Sequence, residues 1–295
     1  MIVDALARLS AFETVSRYKY VGFGSIYFAD FSLIHRLLGI SDFVSIELDT
    51  SSKARFEFNK PFACIEMRYG DSLVVLPSLN WSSRTILWLD YDAMISQSVI
   101  SDVGTFFSKA NSGSVMLCTL NVTPYTRPRK EEALSDFTEK VGKANIPNHL
   151  NKEPYLLSGK EIAEVCREIL VSKLTRTLRD RNDGLNSSKF IAKQLFNFRY
   201  SDNAQMATYG WLLLDESETD GWDRCKFCDF PFVSTGNAPF EISAPMLTAR
   251  EQRHFDKFLP TRCPEKVPGV GVPVSDVANY CNLYRYYPNY ADVEK

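Results

Sequence analysis

The sequence lacks any apolar run approaching the roughly 18 residues that a membrane span requires. Its first segment, MIVDALARLSAFETVSRY, is interrupted by Asp4, Arg8 and Glu13, so it has no uninterrupted signal-peptide core. Internal repeats and low-complexity tracts are also missing. These absences predict a soluble globular protein without a membrane partner, and 295 residues suffice for one large core with an added subdomain.

The chain also lacks a marked excess of either charge. Its formal net charge of −2 argues against a protein that binds nucleic acid over its whole surface. Two local basic clusters are formed by Arg127, Arg129 and Lys130 and by Lys173, Arg176, Arg179 and Arg181. For both clusters a solvated face is the favoured interpretation. The seven cysteines, an odd number lying mostly in apolar segments, predict reduced thiols and a cytoplasmic location.

Strand-like and helical segments alternate through the first part of the chain. Five predicted strands lie in YKYVGFG, DFVSIELD, ACIEMRYGDS, RTILWLDYDAM and SGSVMLCTLNV. The apolar run of the fourth segment is typical of a strand buried on both faces. This alternation predicts an α/β protein with a doubly wound, mainly parallel sheet and helices on both faces.

The second part of the chain interrupts this rhythm. Residues 124–159 contain four prolines and are predicted to be an insertion with a short helix, followed by a long helix over 159–181. Two strands joined at residues 201–203 are then expected to pair antiparallel. Residues 216–295 form a predicted C-terminal extension, in which Thr248 and Glu251 have the spacing of a capping box.

Polar residues or glycines follow four successive predicted strands at the points where the strands end. They are Gly22, Gly24 and Ser25, then Glu47, then Asp71 and Ser72, then Asp90, Tyr91 and Asp92. The carboxyl ends of parallel strands meet at one edge of a sheet, where doubly wound proteins bind ligands. Each residue alone could belong to a turn, a surface or a helix cap, but their recurrence predicts a ligand site.

The order YVGFGS, SIELD, YGDS and WLDYD, followed by a closing hairpin, resembles the class I S-adenosylmethionine-dependent methyltransferases over about residues 1–215. The resemblance implies a Rossmann-like sheet of seven strands with an antiparallel last strand and S-adenosylmethionine as the cofactor. The extension of residues 216–295 is predicted to pack on this domain. The resemblance assigns the methionine part of the cofactor to Gly22, Gly24 and Ser25, the ribose to Glu47, the adenine to Asp71 and Ser72, and the rim beside the sulfonium to Asp90.

The first motif departs from the family pattern. Tyr20 stands where an acidic residue is usual, and Ser25 with Ile26 replaces the last glycine. Catalysis by such a protein consists mainly of aligning an acceptor and removing its proton. Asp90 or Asp92 is the predicted base.

The acceptor is less defined by the sequence. Tyr91 is predicted to stack on it or to hydrogen-bond to it, and DYD is not the signature of enzymes that methylate the amino groups of nucleic-acid bases. In the family fold the loop after the fifth strand overhangs the site. Arg127, Arg129 and Lys130 would therefore favour an anionic acceptor, such as nucleic acid or a phosphorylated molecule. Asn121 is a further candidate at the rim.

A second hypothesis is a methyltransferase-like module that has lost turnover and acts with a partner protein. The altered first motif and the aromatic extension motivate it, whereas the retained Glu47, Asp71 and Asp90 count against it. A dinucleotide-dependent dehydrogenase fits poorly because the three-glycine fingerprint is missing.

The remaining candidates have weaker signals. His35 on the first sheet-packing helix is interpreted as a packing residue. A zinc site is a weak alternative with the candidate ligands Cys225, Cys228, His254 and Cys263. The tail tyrosines are predicted to pack rather than to bind a partner; they are Tyr280, Tyr284, Tyr286, Tyr287 and Tyr290.

Overall fold

The computed structural model describes residues 1–125, 130–185 and 188–287, so Arg127, Arg129 and Tyr290 lie outside the described residues. The chain forms two compact units. One comprises residues 2–240 and the other residues 241–295 together with Met1. The predicted start of the extension, residue 216, lies before this division.

The larger unit is built on an eight-stranded sheet in the order β3-β2-β1-β4-β5-β7-β6-β8. The strands are β1 (Lys19–Gly22), β2 (Asp42–Glu47), β3 (Ile65–Tyr69), β4 (Thr85–Asp90), β5 (Val115–Asn121), β6 (Phe190–Asp202), β7 (Ala204–Asp215) and β8 (Phe240–Ile242). The first five are parallel, and β7 is antiparallel to both β5 and β6. This confirms the predicted doubly wound sheet and its late hairpin.

The predicted strand number of seven is exceeded by one, because β8 adds a short strand at the edge. It has only three residues, too few for a recognisable alternation.

Helices flank the strands. They are α1 (Ile2–Ala7), α2 (Ala29–Leu38), α3 (Lys53–Asn59), α4 (Ser72–Ser78), α5 (Gln97–Lys109), α6 (Lys130–Val141), α7 (Ile162–Asn182), α8 (Thr219–Cys225), α9 (Ala249–Asp256) and α10 (Val274–Leu283). The first helix ends at Ala7, after which the chain continues in short 3-10 segments. The α4 helix was not predicted, and Pro77 in its last turn hides it from propensity rules.

The core lies around the central strands and includes part of the predicted insertion. Ile86, Leu87 and Leu89 of β4 are fully buried, as the apolar run predicted. Ala133 and Phe137 of α6 are also fully buried and belong to the same hydrophobic cluster. Residues 130–141 are therefore a packed helix of the domain, because their helical-period apolar face covers the core.

Residues 216–240 pack within the larger unit, which explains why the division falls at residue 240. The Phe232 ring stacks near Phe196 at 6.4 Å between centroids and lies 6.2 Å from the ring of Phe198. The thiol of Cys225 donates to the backbone oxygen of Arg8 at 3.2 Å.

The C-terminal unit has a small cluster of its own, formed by Phe255, Val267, Val277, Tyr280 and Cys281. The predicted capping box is present, since Thr248 accepts from the Glu251 amide and the Glu251 side chain accepts from the Thr248 amide. The Tyr280 hydroxyl donates to Asp256 and the Tyr287 hydroxyl to the backbone oxygen of Pro245. Both tyrosines thus make contacts within this unit.

Across the three described ranges, no helix combines the length and apolar character needed to cross a membrane.

Candidate functional site

The strand order reverses between β1 and β4, and a cavity of about 310 Å³ opens near the carboxyl ends of these strands. Its volume is at the lower end of the range for small-molecule sites. Apolar walls alternate with acids and hydroxyls around it. The lining residues are Phe23, Ile46, Glu47, Leu48, Gly70, Asp71, Ser72, Tyr91 and Ser98.

The structure brings four of the predicted site residues together in this cavity, namely Glu47, Asp71, Ser72 and Tyr91. Glu47 ends β2, and its Oε1 accepts from the Asp49 amide at 3.1 Å. The Asp71 carboxylate caps α4 by accepting from the Leu73 amide at 2.9 Å. Asp71 therefore has a capping role in addition to lining the cavity.

A buried carboxylate that the sequence analysis missed holds two of the lining side chains. Asp102 on α5 is fully buried, and its Oδ2 accepts from Ser72 Oγ and from the Tyr91 hydroxyl, each at 2.6 Å. Burial raises the pKa of Asp102. Burial and the neighbouring Asp102 carboxylate raise the pKa of Tyr91 far above that of a free phenol, so this hydroxyl stays protonated.

The sequence signal for Asp102 was present. The segment SVISDVGTFF has helical periodicity and places an acid on its apolar face, which is unusual without a partner.

The turn after β1 is held by its own contacts, and it lines the cavity through Phe23 but not through Gly22, Gly24 or Ser25. The Gly24 amide donates to Ser45 Oγ at 3.1 Å, and its carbonyl accepts from the Phe28 amide at 2.7 Å. A Cβ at Gly24 would lie 2.5 Å from the Phe28 ring, so only glycine fits there. Ser25 follows with a left-handed φ of 48°.

Asp30 contacts Tyr20, the residue that stands at the usual acidic position of the family pattern. Tyr20 is fully buried, and its hydroxyl donates to Oδ2 of Asp30 in the first turn of α2. Burial raises the pKa of Asp30 to about 6, and the Asp90 charge contributes to this shift.

This arrangement bears on which ligand the turn can accept. A phosphate group would need the free amides at the start of α2. The Asp30 carboxylate already lies in this first turn, where its negative charge would repel a phosphate group. An anionic pyrophosphate is therefore disfavoured beside the turn, in agreement with the poor fit of a dinucleotide-dependent dehydrogenase.

Asp90 and Asp92 lie at the exposed rim where β4 ends, outside the lining of the cavity. Partial burial raises the pKa of Asp90, and the Asp92 charge raises it further, whereas a hydrogen bond with the Thr119 side chain lowers it. Thr119 also accepts from Trp88 Nε1 at 3.2 Å and pairs with the Thr208 hydroxyl at 2.9 Å. Within the described ranges, neither Asp30 nor Asp90 forms an ion pair with a basic residue.

Two minor candidates have local partners. Asn121 Oδ1 accepts from the Thr123 amide at 2.9 Å, which is the geometry of a strand-end turn. His35 Nδ1 lies 2.7 Å from the Ile40 carbonyl, and its ring packs on Phe62 with 4.1 Å between centroids.

Three basic residues of α7 are engaged in local contacts. Arg181 donates to the Phe107 and Ala110 carbonyls, and Arg176 donates to Asn145. Arg179 pairs with the adjacent Asp180. Arg179 is exposed, as the predicted solvated face requires, whereas Arg176 and Arg181 are partly buried at these contacts.

In the part of the chain that the structure describes, no group of three or more His, Cys, Asp or Glu side chains could hold a metal ion. Of the weak zinc candidates, Cys225 is buried and Cys228 is exposed. Burial raises the pKa of the Cys225 thiol to about 12, which opposes the thiolate form that binds zinc. His254 and Cys263 belong to the C-terminal unit, where His254 Nε2 lies 3.1 Å from the Pro268 carbonyl.

Comparison with known proteins gives one match over the full length of the chain. The model of a family described as "Putative O-methyltransferase" matches residues 1–295. No curated protein matches the sequence.

Solved structures show only distant similarity. A "putative O-methyltransferase from Klebsiella pneumoniae" is 10% identical with a TM-score of 0.38, covering 72% of this chain and 80% of that one. The O-methyltransferase TomG from Streptomyces achromogenes, solved in complex with SAM, is 14% identical with a TM-score of 0.37, covering 72% and 78%. A form of LepI solved in complex with SAH and a substrate analogue is 8% identical with a TM-score of 0.36.

The match to LepI covers 67% of this chain and 43% of LepI, so the chain spans less than half the length of that protein. All three TM-scores lie below 0.5, and the assignment of the fold depends on the strand order instead.

Proposed function

The chain belongs to the family described as "Putative O-methyltransferase", and we propose that it transfers a methyl group from S-adenosylmethionine to a hydroxyl oxygen. Family membership confirms the resemblance seen in the sequence, and S-adenosylmethionine is the cofactor that it implies. The observation that carries the proposal is the 310 Å³ cavity, which gathers Glu47, Asp71 and Ser72 at the strand ends.

The side chains that line the cavity offer the kinds of contact that the adenosine part of this cofactor needs. Phe23, Ile46 and Leu48 offer apolar contacts to a flat base, and Glu47 can accept hydrogen bonds from ribose hydroxyls. Asp71 and Ser72 supply polar contacts for the edge of the base.

The charge of the neighbouring residues suits the other end of the cofactor. Asp30 and Asp90 have no basic partner in the described part of the chain, and burial disfavours their charged forms. A ligand with an ammonium and a sulfonium group would compensate both charges. We assign Asp30, held by Tyr20, to the role that the missing acid of the first motif would have had.

The bound cofactor supplies a methyl group on a sulfonium that is already activated for transfer. The protein's remaining task is to hold an acceptor hydroxyl in line and to remove its proton. Asp90 is the residue best suited to take this proton, because its raised pKa makes it a stronger base than an ordinary carboxylate. Tyr91 is bound to Asp102 and forms a cavity wall in this scheme.

Calorimetric titration with S-adenosylmethionine and S-adenosylhomocysteine tests the proposal. We expect both to bind, and Glu47→Ala to weaken binding about 10- to 100-fold through the loss of hydrogen bonds to a charged acceptor. Glu66→Ala is the matched control, since Glu66 is an exposed acid on β3 paired with Arg68 at 2.7 Å. Binding that Glu47→Ala leaves unchanged would contradict the assignment of the ribose site.

The same titration decides between catalysis and the module without turnover. No binding of either ligand to folded protein would favour that second hypothesis, which the family match does not support.

An anionic or nucleic-acid acceptor remains a proposal from Arg127, Arg129 and Lys130, and the two arginines lie outside the described residues. Alanine substitution of all three should reduce the binding of such an acceptor and its salt dependence.

A further inference from the structure

Two hydroxyl groups of the cavity have their protons committed to one buried acid. Asp102 is not among the residues lining the cavity, but its Oδ2 accepts from Ser72 Oγ and from the Tyr91 hydroxyl, which both belong to lining residues. A hydroxyl group has a single proton to donate and lone pairs to accept with. Ser72 and Tyr91 therefore retain only acceptor capacity for a ligand.

The neighbouring acid has the same limitation. Asp71 lines the same part of the cavity, and an ionised carboxylate is an acceptor only. The side chains of Asp71, Ser72 and Tyr91 together present oxygen acceptors and no donor. A ligand group that meets them needs N–H or O–H bonds to donate.

The second carboxylate oxygen of Asp102 indicates that this acid has a role besides packing the core. Oδ1 is buried and has no hydrogen-bond partner among the described residues. A buried polar atom without a partner destabilises the folded state, because it gives up its hydrogen bonds to water. A well-packed apolar residue would avoid this penalty, and it would leave the two hydroxyls free to rotate their protons towards a ligand.

We propose that Asp102 is a positioning residue that fixes Ser72 and Tyr91 as acceptors, so that the cavity selects a base with an exocyclic amino group. Adenine carries an amino group on C6, which can donate to the oxygens of Asp71, Ser72 and Tyr91. Hypoxanthine carries an oxo group on C6, and its lone pairs would face the lone pairs of these oxygens. This inference rests on the proposed function, because it assumes that the cavity receives the adenosine part of the cofactor. It extends that function from cofactor binding to the choice of the base.

The test compares two ligands that differ at one position of the base. S-adenosylhomocysteine and S-inosylhomocysteine are titrated calorimetrically into the full chain and into three variants, and the ratio of their Kd values is measured. We expect the wild type to prefer the adenosyl compound by about 10- to 100-fold, as for one buried polar group left unpaired. Ser72→Ala should reduce this ratio by about threefold or more.

Asp102→Asn should also reduce the ratio, for a different reason. Its amide group can donate one hydrogen to each of the two hydroxyl oxygens and leave its carbonyl at the unpartnered position, which costs less than an unpaired N–H group. Ser72 and Tyr91 could then direct their own protons towards an oxo group. A side chain with only a structural role would weaken the binding of both ligands alike and leave the ratio unchanged.

Ser98→Ala is the matched control for the ratio. Ser98 lines the same cavity, but its hydroxyl pairs with Ser96 Oγ at 2.7 Å. We expect its ratio to stay within about twofold of the wild type, since its loss leaves the Asp102 contacts in place.

Equal affinity of the wild type for both ligands would overturn the inference and leave the proposed function standing. An unchanged ratio in Ser72→Ala or in folded Asp102→Asn would also overturn it. If circular dichroism shows Asp102→Asn to be unfolded, Ser72→Ala decides the matter alone. Binding of neither ligand to the folded wild type would overturn the proposed function together with this inference.

Discussion

The charged side chains at the two edges of the sheet differ in whether they have ion-pair partners. At the amino ends of the strands, a polar cavity of about 580 Å³ includes Arg84, Glu13 and Glu218. The Arg84 guanidinium lies 2.8 Å from Glu218 and 3.6 Å from Glu13. At the carboxyl ends, Asp30 and Asp90 have no basic partner in the described ranges.

This difference in charge pairing, rather than cavity size, favours the smaller cavity as the candidate ligand site. The larger cavity has its charges compensated within the protein, with Arg84 also donating to the carbonyls of Ser112 and Phe12. The smaller cavity lies beside acids that are partly desolvated and uncompensated. Partly buried charge without a partner costs stability unless a ligand supplies the opposite charge.

The largest effect is expected at the amino ends of the strands, where Arg84 pairs with two acids. Arg84→Met should lower the free energy of unfolding by about 2–4 kcal/mol, because it leaves two acids and two carbonyls without their shared donor. Urea denaturation measures this change. The affinity of the remaining folded protein for S-adenosylhomocysteine should stay near that of the wild type.

Arg68→Met is the control for this prediction. Arg68 is exposed and makes an ion pair with Glu66 at 2.7 Å, so its removal should change stability by less than about 1 kcal/mol. A similar loss in both variants would show that Arg84 contributes no more than a surface pair, and the contrast between the two edges would fail.

The second effect is a loss of catalytic rate, expected at the carboxyl ends of the strands, where Asp90 has no basic partner. Asp90→Asn should lower kcat about 100-fold, because the amide cannot accept a proton from the acceptor hydroxyl. The KM for S-adenosylmethionine should change less than kcat. The measurement is the rate of S-adenosylhomocysteine formation with a panel of phenols, catechols and hydroxy acids.

Asp92→Asn serves as the comparison for Asp90→Asn. The Asp92 charge raises the pKa of Asp90, so neutralising it should move the acid limb of the pH profile to lower pH. The kcat on the plateau should change only a few-fold. A larger loss of kcat in Asp92→Asn than in Asp90→Asn would identify Asp92 as the base.

Much of the fold could be predicted from periodicity. The apolar strands and the gaps between them predicted a parallel sheet with a late hairpin, and β1 to β7 occupy those segments. Periodicity failed where elements are short or carry proline, as in β8 and α4. The short helix predicted within residues 124–159 is present as α6, whereas its packing into the core depends on contacts that periodicity does not specify.

The candidate site residues at the strand ends could be predicted from the sequence of each strand separately. Glu47, Asp71, Ser72 and Tyr91 meet in the cavity because parallel strands bring their ends to one edge. Asp30 and Asp102 were not anticipated, because each acts through a partner 10 or 30 residues away in the sequence. A single sequence gives the spacing along one element, whereas side-chain contacts between elements depend on packing.

The smallest predicted effect is the pH dependence that Asp30 gives to ligand binding. With its pKa raised to about 6, Asp30 loses its proton as the pH rises through 6, and the affinity for cationic S-adenosylmethionine should then increase. Asp30→Asn keeps the shape but not the charge, so it should flatten this dependence and weaken binding about tenfold at pH 8. Calorimetry at pH 5, 6, 7 and 8 measures both effects.

The stability of the free protein should change in the opposite sense. Because the folded-state pKa of Asp30 lies above its ordinary value of 3.8, its stabilising contribution is complete below pH 3.8 and is lost as the pH rises through 6. Free Asp30→Asn should therefore be more stable than the wild type at pH 8, by about 1–2 kcal/mol. Asp42→Asn, at an exposed acid paired with Lys19 at the other edge, should show neither effect. If Asp30→Asn binds the cofactor as tightly as the wild type at pH 8, the uncompensated charge beside α2 does not serve the ligand, and the contrast between the edges would then rest on Asp90 alone.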